Sequence, residues 1–599
     1  MTHISADRIA ALRAWMKERR FKAYVVPTAD PHGSEYIADH WKCREWLTGF
    51  DGSAGTAVVT HDEALLWTDS RYWLQAAEQL RGSEIKLMRE GAEGVESIEK
   101  WLRDRFKGTD RHFAGEHKGL VPQDTTEAAP SHETSDRMPP SCDEDPFDSI
   151  WHDRPALPDS PIRIHPMEFA GCSVADKLRK TEEWLGEYGE GSCLIVSDLS
   201  EIAWALNLRG SDIDFNPVFY AYLAIKFPEK KGVLFIDERK VPSDVRDYLR
   251  ENGFDIAPYD DLGKARVLEP IRQWVFCKGI SKKAYGEIAT DIAQSRIVDS
   301  PLKYLKAIKN DTEQAGFRRA MERDGVAMVR MLRWLEENPD QTELSVARKL
   351  ESLRAEGKNY RGLSFETISA YGAHAAIVHY EPTPETNIPL KPRGLLLLDS
   401  GAQYLDGTTD ITRTIALGPL TEEERRAYTL VLKGHIALSR QRFPKGTPGI
   451  ALDTLARQAM WAEGYDFGHG TGHGVGSDLC VHEGPQQIRK NLNAASETPF
   501  EPGMTITDEP GIYAEGRFGV RIENVLLCLP DGETPFGRFC RFEPLTLCPI
   551  DTKPIMADMI TETERAWLND YHAEVRNRLM PMLKDPADKQ WLEKATLPL

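Results

Sequence analysis

Apolar positions recur along this chain with two different periods, and the period changes mark its elements. THISADRIAALRAWMKERR near the start alternates at helical spacing, and AYVVPTAD (23–30) and GTAVVT (55–60) then read as short strands bounded by Pro, Gly and Asp. SRYWLQAAEQL (70–80) returns to the helical period. The pattern repeats further on: VADKLRKTEEWLGEYG (174–189) predicts a helix, and SCLIVS, GVLFID and WVFC predict buried strands. The alternation implies two α/β segments of similar texture, without a residue-level repeat.

Between them, residues 118–168 carry nine prolines among many Ser, Thr, Asp and Glu. A stretch of that composition buries little apolar area and reads as a linker or long irregular excursion.

From about 310 the pattern strengthens. Asn310 and Glu313 have capping-box spacing, and Phe317, Ala320, Met321, Met328, Met331, Leu332 and Leu335 follow at helical intervals. Thr421 and Glu424 repeat the cap before a helix to about 441, and Pro448 precedes LDTLARQAMWAEG. The strands between are GLLLL (394–398), ITRTIA (411–416), MTIT (504–507) and FGVRIENVLLC (518–528). The last 35 or so residues read as amphipathic helix forming a terminal appendage. The expected domains are 1–160, 161–308 and 309–599.

Composition narrows the class. The 599 residues are 41% hydrophobic and 28% charged, as in ordinary globular proteins. A net charge of −19 argues against binding nucleic acid or an anionic membrane surface. No apolar run approaches the about 18 residues that span a bilayer. The N-terminus has no secretory pattern, and nine scattered cysteines without CxxC argue against a disulfide framework. These features point to a soluble, cytoplasmic protein.

The candidate chemistry lies in the third segment. Asp399 ends the apolar run LLLLD, where a buried charge requires a partner. Asp410 follows after GAQYLDG, whose turn chemistry would reverse the chain and bring the two aspartates to neighbouring strands. Two solvated loop aspartates would read the same way. FGHGTGHGVGSDLCVHEGP presents His469, His473 and His482 on a glycine-rich scaffold, and its glycines exclude the helical HExxH zinc motif. In TDEPG and RFGVRIENV, Glu509 and Glu523 complete a set of four carboxylates. Val520 and Ile522 would share one strand face and Arg521 and Glu523 the other, which also suits an ordinary half-exposed strand. With His473 the set has formal charge −4, which two divalent cations would neutralise. Metals about 3.5–4 Å apart can activate a water for hydrolysis. Oxygen-dominated ligation favours Mn²⁺, with Co²⁺ or Zn²⁺ able to compete.

The order LDSG, TTDITRT, GTGHGVG, DEPG, VRIENV resembles the metal-binding signature of the pita-bread metallopeptidases. DSGAQYLDGTTDITRT and FGVRIENV, with GSEYIADHWKCREWLTGFDGSAGTA, WTDSRYWLQAAEQL, IWHDRPALP and EIAWALNLRGSDIDFNPVF upstream, resemble the large three-domain cytosolic form of aminopeptidase P. The resemblance implies two creatinase-like α/β domains before a pita-bread catalytic domain, α/β and α+β in class, and a homodimer. It implies an exopeptidase that cuts Xaa-Pro bonds in proline-containing peptides by means of a hydroxide bridging two metals.

Asp399 would bind one metal, Asp410 and Glu523 would bridge both, and His473 and Glu509 would complete the second. Glu509 would also be general base. His379 in AIVHYEP and His482 match histidines that stabilise the tetrahedral intermediate, His469 one lining the proline pocket, and Arg521 an arginine orienting the carboxylates. Prolidase, which cuts only Xaa-Pro dipeptides, is the nearest alternative. Methionine aminopeptidase and a metal-free creatinase-like enzyme fit the length and the five donors less well. A catalytically dead peptide-binding module would have lost donor carboxylates.

Overall fold

The computed structural model describes residues 2–107, 113–115, 144–280, 282–289 and 295–599. The chain divides into two compact units, Met1–Ile164 with Val174–Leu302, and His165–Ser173 with Lys303–Leu599.

The first unit contains two large sheets and a two-stranded one, Arg163–Ile164 with Leu208–Arg209. One has five strands in the order Ile85–Arg89, Ala64–Thr68, Thr56–Thr60, Ala23–Pro27, Phe113–Gly115. The other has six, Phe254–Ala257, Lys231–Phe235, Tyr222–Lys226, Ser192–Val196, Gln273–Cys277 and Ser295–Val298. Across the first five strands of each large sheet the pairings run parallel, antiparallel, antiparallel, parallel, and the six-stranded sheet adds one more parallel pairing. The sheets therefore share a topology that residue identities conceal. Their inner strands read as continuous apolar runs because both faces are covered: every residue of Ala64–Thr68 and Ser192–Val196 is buried.

Of the proline-rich stretch, residues 118–143 lie outside the described residues. The remainder is not all excursion. Phe147 and Trp151 are buried in the first sheet's core, where Trp151 stacks on Trp46 at 5.2 Å between ring centroids. Two aromatics outweigh the surrounding prolines because each buries a large apolar area. The eight cysteines among the described residues form no disulfide with one another.

The second unit is built on helix Asp311–Glu337, which starts at a capping box formed by Asn310 and Glu313. Thr421 and Glu424 cap Glu422–Ser439 in the same way, and Pro448 precedes Gly449–Trp461. Strands Ile368–Tyr371, Leu395–Ser400 and Ile411–Ala416 form one antiparallel sheet, with Asp399 opposite Ile368 and Thr412. A second sheet runs Arg442–Pro444, Gly537–Pro544, Asn524–Thr534, Thr505–Asp508.

Two expectations change here. FGVRIENVLLC is not one strand but two, Phe518–Arg521 and Asn524–Thr534, which pair in different sheets. The chain ends not in one appended helix but in two, Glu562–Leu579 and Pro586–Ala595. Their Leu568, Val575, Leu579 and Leu592 lie in the same apolar cluster as Val520 and Ile522, so they belong to the core. No helix of the described residues is long and apolar enough to cross a membrane.

Candidate metal centre

Four of the five candidate donors sit where a strand ends or breaks. Asp399 is the penultimate residue of Leu395–Ser400, and Asp410 immediately precedes Ile411–Ala416. Between them the chain folds back through strands Ala402–Tyr404 and Gly407–Thr408. Gly401 permits this: a Cβ there would lie 2.0 Å from the Thr409 carbonyl oxygen. Glu523 occupies the break between Arg521 and Asn524, and its N–H donates to the Thr412 carbonyl at 3.1 Å. His473 is the middle residue of strand Gly472–Gly474. A Cβ at Gly472 would meet the Thr507 carbonyl oxygen at 1.9 Å, so glycine lets this strand lie against Thr505–Asp508. Glu509 follows that strand, its N–H bonded to the Thr471 carbonyl at 2.9 Å.

The fold brings these residues together. Donor atoms of Asp410, His473 and Glu523 lie within 4.8 Å of one another. His473 Nε2 is 3.5 Å from Asp410 Oδ2 and 3.5 Å from Glu509 Oε1. Asp399 Oδ2 accepts from Arg521 at 2.5 Å. The same guanidinium donates to Tyr513 Oη at 2.8 Å and Thr412 Oγ1 at 3.2 Å, and Thr412 Oγ1 donates to Glu523 Oε2 at 2.7 Å. Val520 and Ile522 point into the apolar core while Arg521 and Glu523 face the site. Around the donors, His482 lies edge-on to His473 with centroids 4.3 Å apart, and His469 Nδ1 is 3.9 Å from Glu509 Oε2. His379 follows Val378, whose carbonyl accepts from Arg521 at 3.4 Å.

Burial and mutual repulsion govern the carboxylates. Asp410 is held well above the ordinary aspartate range by burial, then by Asp399 and Glu509. Burial likewise raises Glu523, with Asp410, Glu509 and Asp399 adding to it. Glu509 is pushed up to about 7, chiefly by burial. Such a set is short of positive charge.

The donor chemistry fits divalent cations. His473 Nδ1 donates to the Gly474 carbonyl at 2.9 Å, so Nε2 turns a lone pair toward two carboxylate oxygens. Asp399 Oδ1 is buried without a hydrogen-bond partner. Cations answer both arrangements.

Other contributors carried no sequence signal of their own. Tyr513 joins His469 Nε2, at 2.7 Å, to Arg521. His435 bonds the Asp508 carbonyl at 3.1 Å and Asn524 at 3.2 Å, so one imidazole braces the residue before Glu509 and the residue after Glu523. Arg354 pairs with Asp324 at 2.8 Å and reaches the Ser400 carbonyl, beside Asp399. Thr412 alone left a trace, as a polar residue at alternate positions of ITRTIA.

Residues 315–529 match the metallopeptidase family M24, and 538–599 its C-terminal region. Residues 8–127 and 153–313 match creatinase/prolidase N-terminal domains. Aminopeptidase P2 of Arabidopsis thaliana is 41% identical over 96% of this chain and 86% of its own length. The chain belongs to the aminopeptidase P family. A probable Xaa-Pro aminopeptidase P of Paracoccidioides brasiliensis (strain Pb03) shows 40% identity over 99% of both chains. Among solved structures, the X-prolyl aminopeptidase of Caenorhabditis elegans superposes with a TM-score of 0.91 at 33% identity, covering 99% of this aminopeptidase P family member and 100% of that chain. That protein is described as a cytosolic enzyme with a di-nuclear active site.

Proposed function

We propose that this chain is a dinuclear metalloexopeptidase that hydrolyses the bond between an N-terminal residue and a following proline. The observation carrying this reading is similarity over 99% of the chain, both α/β parts included, to an X-prolyl aminopeptidase of known structure.

Asp399, Asp410, His473, Glu509 and Glu523 would hold two divalent cations, with Mn²⁺ favoured by the oxygen-rich donors and Co²⁺ or Zn²⁺ able to compete. Such cations supply Lewis acidity and lower the pKa of water. The protein's own groups do the rest. Glu509 takes the proton of the attacking water and returns it toward the proline nitrogen. His379 and His482 hydrogen-bond the oxygen on which charge develops at the scissile carbonyl. His469 borders the proline pocket and is oriented by Tyr513. Arg521 fixes the Asp399 carboxylate, and the acidic cleft receives the substrate's α-amino group.

The reading extends to three domains, 1–160, 161–308 and 309–599, supported by three successive family matches that begin at residues 8, 153 and 315. It extends also to a cytosolic location, supported by the description of the C. elegans relative, and to a homodimer, which the resemblance to the family implies.

Chelated protein resupplied with Mn²⁺ should cut a tripeptide Xaa-Pro-Yaa after its first residue. Cleavage of the dipeptide Xaa-Pro alone would replace this reading with prolidase.

A further inference from the structure

The side chain of Glu343 is fully shielded from solvent, and its oxygens are met by four donor groups. Oε1 takes the Tyr371 N–H at 2.8 Å and lies 2.9 Å from His374 Nδ1. Oε2 takes the Tyr380 hydroxyl at 2.9 Å and the Ile388 N–H at 3.3 Å. Burying a carboxylate is costly unless each lone pair is answered. Here the answers all come from one segment, 371–388, and that segment carries His379. Glu343 itself is rigidly placed, in the first turn of helix Glu343–Ala355, where Thr342 and Ser345 form a capping box. A negative charge also suits a helix N-terminus.

The opposite side of the segment is held as well. The Val378 carbonyl accepts from Arg521, which also binds Asp399. His379 thus lies between two anchored neighbours: Val378, tied to the metal centre, and Tyr380, tied to Glu343. His374 lies tilted against the Tyr380 ring at 4.4 Å between centroids and closes the clamp.

We infer that Glu343 is a positioning residue for His379: its carboxylate sets the height of the 371–388 segment, and so the distance from the imidazole to the scissile carbonyl. This rests on the function proposed above. In Glu343→Gln an amide NH₂ replaces one acceptor oxygen, so it opposes donors such as the Tyr380 hydroxyl or the Ile388 N–H. The segment must then shift.

The test is a double-mutant cycle on the Mn²⁺-loaded protein, reading kcat and KM for a tripeptide Xaa-Pro-Yaa, together with metal content and thermal midpoint. His379→Ala should lower kcat about 100-fold, as loss of a group stabilising the oxyanion does. Glu343→Gln should lower kcat about 10-fold with KM within about twofold and metal content unchanged, since small displacements at a reacting centre cost rate. The double variant should be no slower than His379→Ala, because the two act as one unit. Tyr380→Phe removes a single donor and supplies the same cycle should Glu343→Gln fail to fold. Multiplying losses in the double variant, or unchanged kcat in Glu343→Gln, would overturn the positioning role while leaving the peptidase reading intact. A wild-type protein inert on the tripeptide would overturn that reading and this inference with it.

Discussion

Arg521 shows how much one side chain can organise. Its guanidinium touches Asp399, Tyr513 and Thr412 at once, and the Val378 carbonyl accepts from the same fork. A lysine keeps the charge but cannot hold three partners in a plane. Arg521→Lys should therefore weaken metal affinity by about 10- to 100-fold, the usual cost of losing a group that orients a ligand. Competition with a chelator measures this, and an unchanged affinity would remove Arg521 from the metal centre's support. At this scale the candidate donors were legible because acids and imidazoles in apolar strands or glycine-rich runs stand out, while their roles came from the resemblance to the family. Glu343 was not: it sits among other polar residues at a helix start, and only the folded chain shows that it is fully buried.

Elements were readable where a local device sets their ends. Asn310 caps Asp311–Glu337 through hydrogen bonds from the Thr312 and Glu313 N–H groups, and Glu313 answers the Asn310 N–H. Its amide also donates to the Ala170 carbonyl at 2.9 Å. Asn310→Ala should cost about 1 kcal/mol for the cap, with more for the second bond, read as a lower thermal midpoint. No change would show that the cap contributes nothing in this setting. The helices at 422 and 449 were legible for similar reasons. The strand break at Ile522–Glu523 was not, since each half continues the period-two pattern. The chain leaves one sheet for another there because Thr412 and Arg413 engage the Glu523 backbone: the Thr412 carbonyl takes its N–H, and Arg413 donates to its carbonyl at 2.7 Å.

For the molecule as a whole, the C-terminal helices matter more than their place in the chain suggests. Arg413 joins the Glu523 carbonyl to Tyr571 Oη, at 2.8 Å, so one fully buried guanidinium links the metal centre to the last part of the chain. Beside it His572 is buried, and its Nε2 accepts the Ile550 N–H at 3.1 Å. Burial, reinforced by Arg413, pulls this imidazole down to about 4 from 6.5. Because the folded-state value is depressed, the stability it confers is present above pH 6.5 and is lost as the pH falls toward 4. The span corresponds to about 3 kcal/mol. The thermal midpoint of the wild type should fall more steeply across that window than that of His572→Gln. Parallel pH profiles would discharge His572 from this role.

The sequence alone determined most element types, the helix caps and which acids and imidazoles were candidates for the centre, since period, turn chemistry and acid–imidazole composition are local properties. It could not reveal that the first two segments share a sheet topology, that the C-terminal helices belong to the core, or that Glu343, His435 and Arg354 brace the centre. Those depend on which distant residues share a buried space, and burial is decided only when the chain packs.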